Sequence, residues 1–175
     1  GLVADAREVA RGDDPAQAIA THVAGLFSYG HPDTRFYDDH DEIPQLCGLT
    51  EGSCVDINAY LIASLRAAGI EAGYVYGYFF PEEKAGTCED GHCWVVTREN
   101  ELTREWDIAH HMKLGAPEIR PALNPKPGRR VALAHSMGLT FPGLDLSDIK
   151  LIGEPMWRTP TGVEGAALDI RLAPW

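Results

Sequence analysis

Apolar and polar residues alternate with two different periods along this chain. In residues 15–29 the apolar positions Ile19, Val23, Leu26 and Phe27 recur at helical spacing. Residues 30–53 hold the breakers Pro32, Pro44, Gly48 and Gly52 and read as a loop. Ile57, Leu61, Leu65 and Ala68 then restore the helical period, and Gly69 stops that helix as a C-terminal cap. Beyond it the period shortens to two. Residues 71–80 place Tyr74, Tyr76 and Tyr78 on one face of a strand and Val75 and Phe79 on the other. Residues 81–91 form a loop, residues 91–97 a second strand and residues 101–109 a third, with Glu99-Asn100 as a two-residue hairpin turn. Four prolines, Pro117, Pro121, Pro125 and Pro127, mark an irregular connector. Strand-like runs at 129–141, 149–152 and 166–172 follow, to extend the sheet or form a flanking hairpin. The layout predicts an α+β fold, with N-terminal helices packed on an antiparallel sheet.

The start of the second helix carries candidate chemistry. Ser53 stands at the expected N-cap, and Asp56 follows at the position where a capping box wants a carboxylate. Cys54 then becomes the first helical residue. Backbone N–H groups and the helix dipole favour an anion there, so its thiolate forms more readily than in water.

A histidine and an acid stand at usable positions further on. Pairing Arg98 with Glu101 across the turn sets His92 directly opposite Asp107, and Trp94 opposite Glu105. Directly facing Cβ atoms lie roughly 4.5–5.5 Å apart, close enough for an imidazole and a carboxylate to share a hydrogen bond. Cys54 is thus the candidate nucleophile, His92 the general base and then acid, and Asp107 the group that orients the ring. The backbone N–H of Cys54 is the natural first oxyanion donor. Gln45 and Tyr37 in the upstream loop are candidates for the second, Gln45 preferred for its amide N–H₂. Tyr37 and Trp94 are candidate substrate contacts.

These residues resemble the core of the transglutaminase-like superfamily, a variant of the papain-like cysteine-peptidase fold. The phrases are Gly52-Ser53-Cys54, Leu65-Arg66-Ala67-Ala68-Gly69-Ile70, Gly77-Tyr78, His92-Cys93-Trp94 and Trp106-Asp107. Gly73 stands where the family often has Arg, and Ile108 where Pro often follows the Asp. The resemblance implies a cysteine-dependent acyl transfer on a peptide, isopeptide or glutamine-type amide, through a thioester and with no cofactor. Superfamily members include crosslinking acyltransferases, peptidases, deglycosylating amidases and inert proteins. A compact chain of 175 residues reads as one domain, with a catalytic core over residues 50–110 and additional strands and loops over 111–175. Nothing in it resembles a dedicated second-substrate module, which favours hydrolysis over amine transfer.

Charge and cysteine content narrow the partners. A net charge of −11 argues against a nucleic acid. No apolar run approaches the ~20 residues of a membrane span. The acidic run Asp38-Asp39-His40-Asp41-Glu42, with Glu82, Glu83, Glu89 and Asp90, would suit a substrate bearing a cationic amine if it lined the cleft; otherwise it is a solvated surface. Four cysteines, Cys47, Cys54, Cys88 and Cys93, are too few for a disulfide scaffold. Mostly free thiols are expected, and with them a reducing cytoplasm.

Two rival readings are a non-catalytic protein-binding module on the same fold and a zinc-binding domain. The cysteines with His92, His110 and His111 supply soft ligands, but no pair has the C-x₂-C spacing of a zinc ribbon. His92 and Cys93 also point to opposite faces of their strand. No metal site is therefore assigned.

Overall fold

The computed structural model describes residues 1–121, 124–135, 139–149 and 156–173. Two helices, α1 (Leu2–Val9) and α2 (Pro15–Leu26), lead into two short strands, β1 (Phe27–Tyr29) and β2 (Thr50–Gly52). Helix α3 (Cys54–Ala67) is followed by β3 (Glu71–Pro81), β4 (Thr87–Cys88), β5 (Gly91–Glu99) and β6 (Leu102–Trp106). Helix α4 (Ile108–Lys113) precedes β7 (Gly128–Ala134), β8 (Leu139–Phe141), β9 (Leu146–Ile149), β10 (Met156–Thr159), β11 (Gly162–Gly165) and β12 (Ile170–Arg171). This is the mixed helix-and-sheet architecture that the residue pattern predicts. The largest sheet has the order β6-β5-β3-β7, and its outer pairs, β5–β6 and β3–β7, are antiparallel.

The chain divides into two compact units, Gly1–Tyr74 with Trp94–Lys126, and Val75–Cys93 with Pro127–Trp175. In the first unit α3 packs against α1, α2 and α4. Ile57, Leu61 and Leu65 of α3 are fully buried, as are Ile19 and Val23 of α2. Helix α1, which the sequence reading leaves unassigned, buries Leu2 and Ala6 and ties its Arg7 to the Ala67 carbonyl at the end of α3, 3.1 Å away. Helix α2 ends three residues before the expected point, because Phe27-Ser28-Tyr29 turns extended and pairs in parallel with Thr50–Gly52. That pairing fixes the residues immediately before α3.

In the second unit β7 lies antiparallel to β3, with a register shift between Tyr76 and Gly77. Any Cβ at Gly77 would meet the Val131 carbonyl oxygen at 2.0 Å, so only glycine admits this approach. β4 pairs with β12, and Tyr78, Phe80 and Cys88 form a small cluster with Val131, Ile170 and Leu172. Two further hairpins, β8–β9 and β10–β11, complete the unit. The run expected at 129–141 is split between β7 and β8, and the one at 166–172 pairs only at Ile170–Arg171. Ile149 closes β9; the rest of the 149–152 expectation lies outside the described residues.

Candidate active site

Cys54 opens α3, as its capping sequence predicts. Ser53 is extended at the N-cap, and its hydroxyl accepts from the Val55 N–H at 3.3 Å. The Asp56 carboxylate accepts from the Ser53 N–H at 2.8 Å and from the Ser53 hydroxyl at 2.7 Å. Asp56 is 0 % exposed, and Cys54 is half-buried. Gly52 is required here for space: a Cβ would come within 2.9 Å of both the Asp56 Cβ and the Phe27 ring. A partly exposed thiol at a dipole-bearing helix start is the setting in which cysteine becomes nucleophilic.

One residue of the preceding loop reaches this cap. Arg35 donates from Nη1 to Asp56 Oδ2 at 2.8 Å, with the Ser53 hydroxyl 3.4 Å away. Burial works against the Arg35 charge, but the Asp56 hydrogen bond and charge outweigh it and hold the guanidinium above its ordinary pKa. Tyr37 follows in the same loop, its ring edge-on to Phe36 at 4.9 Å. Burial pushes its hydroxyl up to about 12, with Arg35 opposing the rise and Asp56 and Asp38 adding to it. The loop's acidic run is exposed. Gln45 is exposed too and lines a cleft of about 980 Å³ beside the start of α1, a cleft whose lining does not include Cys54.

The hairpin that leads to Asp107 departs from expectation in two respects. Its turn is Asn100-Glu101, with φ of 48° and 68°, so Glu99 faces Leu102 and Val95 faces Trp106. The register therefore differs by two residues from one that pairs Arg98 with Glu101. Asn tolerates the left-handed region better than most residues, which favours Asn100 as the turn's first central residue over Glu99. The observed register also lets Trp106 Nε1 donate to Thr97 Oγ1 at 2.9 Å and lets Arg104 pair with Glu99. Arg104 further bonds Asp14, the α2 N-cap, at 2.7 Å and lies over the Trp106 ring.

The strand also ends early. Asp107 is not a strand residue but the N-cap of α4, where its Oδ1 accepts from the His110 N–H at 3.1 Å. The His110 ring stands 2.9 Å from Asp107 Oδ2. Asp107 is 1 % exposed and His110 6 %. His110, which the sequence reading names only as a soft ligand, is thus the neighbour of Asp107; the signal for that place was an N-capping Asp three residues before it. His111 is different. Its Nδ1 lies 2.7 Å from the Asp107 carbonyl, and its Nε2 accepts from the Arg120 N–H at 3.1 Å. Both ring nitrogens are thus engaged by backbone, which removes His111 from the zinc ligands considered above. Asp107 and His110 do present carboxylate and imidazole, ligand types that metal ions use.

His92 lies on the part of β5 that belongs to the second unit, 6 % exposed, its ring 6.4 Å from that of Phe79. Trp94 is 2 % exposed, a core position rather than an open binding surface. The pairing that would set His92 directly opposite Asp107 does not hold, since Arg98 faces Thr103 rather than Glu101. All four cysteines are free thiols, Cys47 exposed and Cys88 and Cys93 buried. Among the described residues no helix is long and apolar enough to cross a membrane.

The family model of the transglutaminase-like superfamily matches residues 3–100, and the chain belongs to that superfamily. A solved structure from Cytophaga hutchinsonii, described as a candidate cysteine protease, is similar over 99 % of this chain at 15 % identity and a TM-score of 0.47. The present chain covers 53 % of that protein, about half its length. No curated protein matches. Superfamily membership supports the general class of cysteine-dependent amide-bond enzymes without choosing among their reactions.

Proposed function

We propose that the protein is a cysteine hydrolase of amide bonds, with Cys54, His92 and Asp107 as its triad. The observation that carries this reading is the placement of Cys54, half-buried at the first position of a helix whose capping box is complete. The register supports the other two members. His92 lies on β5, and Asp107 directly follows β6, the strand that pairs with β5.

In this mechanism the Cys54 thiolate attacks the carbonyl carbon of the amide, and the Cys54 backbone N–H stabilises the oxyanion. The C–N bond breaks as His92 protonates the departing amine, which leaves a thioester. His92 then takes a proton from water, whose oxygen attacks the thioester and restores the thiol. Asp107 holds the ring and offsets the charge of the imidazolium. Water needs no groove of its own, so hydrolysis is favoured over transfer to an amine acceptor. The test is mass spectrometry of the intact protein after incubation with a mixed amide and peptide library. A trapped acyl group on Cys54 is expected, and turnover that survives in Cys54→Ala would overturn the reading. Metal content of the purified protein is the control for a role of Asp107 and His110 as ligands.

A further inference from the structure

The base of the Cys54 helix holds more charge than a cap requires. A capping box needs a hydrogen-bond acceptor at Asp56, and asparagine or glutamine can supply one. Here the acceptor is a carboxylate with 0 % exposure. Its Oδ2 alone faces three donors: the Ser53 N–H at 2.8 Å, the Ser53 hydroxyl at 2.7 Å and Arg35 Nη1 at 2.8 Å. The negative charge therefore sits against the amide of the residue that precedes Cys54. Uncompensated, it would oppose a thiolate at Cys54, since a like charge nearby disfavours the ionised form.

We infer that Arg35 is a positioning residue for the nucleophile: its guanidinium neutralises Asp56, so that the cap keeps its geometry without a negative field at Cys54. This rests on the reading of Cys54 as nucleophile. The loop is built to hold Arg35 in place. Its backbone N–H donates to Asp38 Oδ2 at 2.8 Å, and the next residue, Phe36, packs edge-on against Phe27 and Tyr60 at 5.8 and 5.9 Å. Phe27 lies in β1, which pairs with the strand entering the cap. The side chain thus reaches Asp56 from an anchored turn.

Other charges on the elements around α3 have partners or places of their own. On α1, Arg7 bonds the far end of α3, and Asp5 pairs with His22 of α2 at 2.9 Å. On α4, Asp107 engages His110. On β2, Glu51 is exposed, and Tyr37 stays neutral well above neutral pH. Arg35 is the cation that the structure bonds to Asp56.

The experiment is the rate of Cys54 alkylation by iodoacetamide against pH, read by peptide mass mapping, in the wild type, Arg35→Met, Arg35→Lys, Asp56→Asn and the double variant Arg35→Met/Asp56→Asn. In the wild type the Cys54 midpoint should lie below the ~8.5 of a free thiol. Arg35→Met should raise it by about one pH unit, and Arg35→Lys should recover most of that shift. The double variant, in which neither charge remains, should return to near the wild-type midpoint, because the charges of Arg35 and Asp56 cancel at Cys54. An unchanged profile in Arg35→Met overturns the inference. So does a shift that persists undiminished in the double variant, which would make Arg35 a packing residue only. Should Arg35→Met fail to fold, Asp56→Asn decides: its midpoint should fall below that of the wild type, and an unchanged midpoint overturns the inference. A wild-type Cys54 that labels no faster than Cys47, with an ordinary midpoint, defeats instead the nucleophile reading beneath it.

Discussion

Two helix starts in this protein are each built around a buried carboxylate, and the two use it differently. At α3 the Asp56 carboxylate binds inward, to Ser53 and to the Arg35 cation, and its charge is matched by a full positive charge. At α4 the Asp107 carboxylate is itself the N-cap, bound to the His110 N–H and facing a His110 ring whose charge depends on its protonation. One carboxylate is locked in a strong ion pair; the other faces a group that can change its charge. The contrast predicts that Asp56 serves the fold and Asp107 the chemistry, although both are almost fully buried.

The largest expected effects are on turnover. Cys54→Ala should abolish it, and Asp107→Asn should lower kcat by roughly 10²–10⁴-fold through a misoriented imidazole. Asparagine is as good an N-cap as aspartate, so Asp107→Asn should cost at most about 1 kcal/mol in stability. Urea unfolding beside steady-state kinetics checks both halves. A variant that unfolds but, while folded, turns over normally would break the distinction from that side.

Asp56→Asn should show the opposite balance. It leaves Arg35 facing a neutral amide and weakens a buried charge-assisted network, a loss of about 2–3 kcal/mol. The measurement is the shift in urea midpoint at unchanged slope. Its effect on kcat should be much smaller than that of Asp107→Asn. If the two asparagine variants lose stability and turnover in the same proportion, the two carboxylates do not have separate roles.

The same pair of helix starts shows how far the sequence could be read. The α3 start was legible because every contact that defines its cap is local: Gly52, Ser53, Cys54 and Asp56 span five residues. What escaped was Arg35, because no local pattern says which loop residue folds back onto a cap eighteen residues on. The α4 start was misread for a related reason. A strand-like run of Leu102–Trp106 continues into Asp107 without a breaker, and only a short helix marks the change. Gln45 and Trp94 show the limit for substrate contacts, since burial and cleft lining arise from packing that residue type does not encode. The α+β class and the superfamily were legible because they rest on periodicity and on several spaced phrases together.

A smaller effect separates the loop at α3 from the hairpin before α4 by pH. Burial pushes the Tyr37 hydroxyl up to about 12 from an ordinary 10.0. The unfolded chain therefore gives up this proton at lower pH than the folded one. The contribution is whole below pH 10 and is lost as pH rises toward 12. Tyr37→Phe has no such proton, so the difference in unfolding midpoint between wild type and variant should change across that alkaline window and stay flat below it. A flat difference throughout would show that Tyr37 is not held in its neutral form by burial in this loop.

The smallest expected effect lies in the turn that sets the hairpin register. Asn100 and Glu101 both have positive φ, 48° and 68°. A left-handed conformation costs a non-glycine residue on the order of 1 kcal/mol, more than the freedom a glycine adds to the unfolded chain when the two are compared at such a site. Glu101→Gly should therefore raise stability by under about 1 kcal/mol, read as a higher urea midpoint, with kcat unchanged. Asn100→Val should do the reverse, because a β-branched residue is strained at positive φ. Asp107 leaves the hairpin one residue after Trp106, which pairs with Val95. If the turn fixes the register, weakening it should lower kcat in Asn100→Val by more than its loss of stability explains. If Asn100→Val loses stability but keeps its full kcat, the register is held elsewhere, by the bond of Trp106 to Thr97 and the pairing of Arg104 with Asp14 and Glu99.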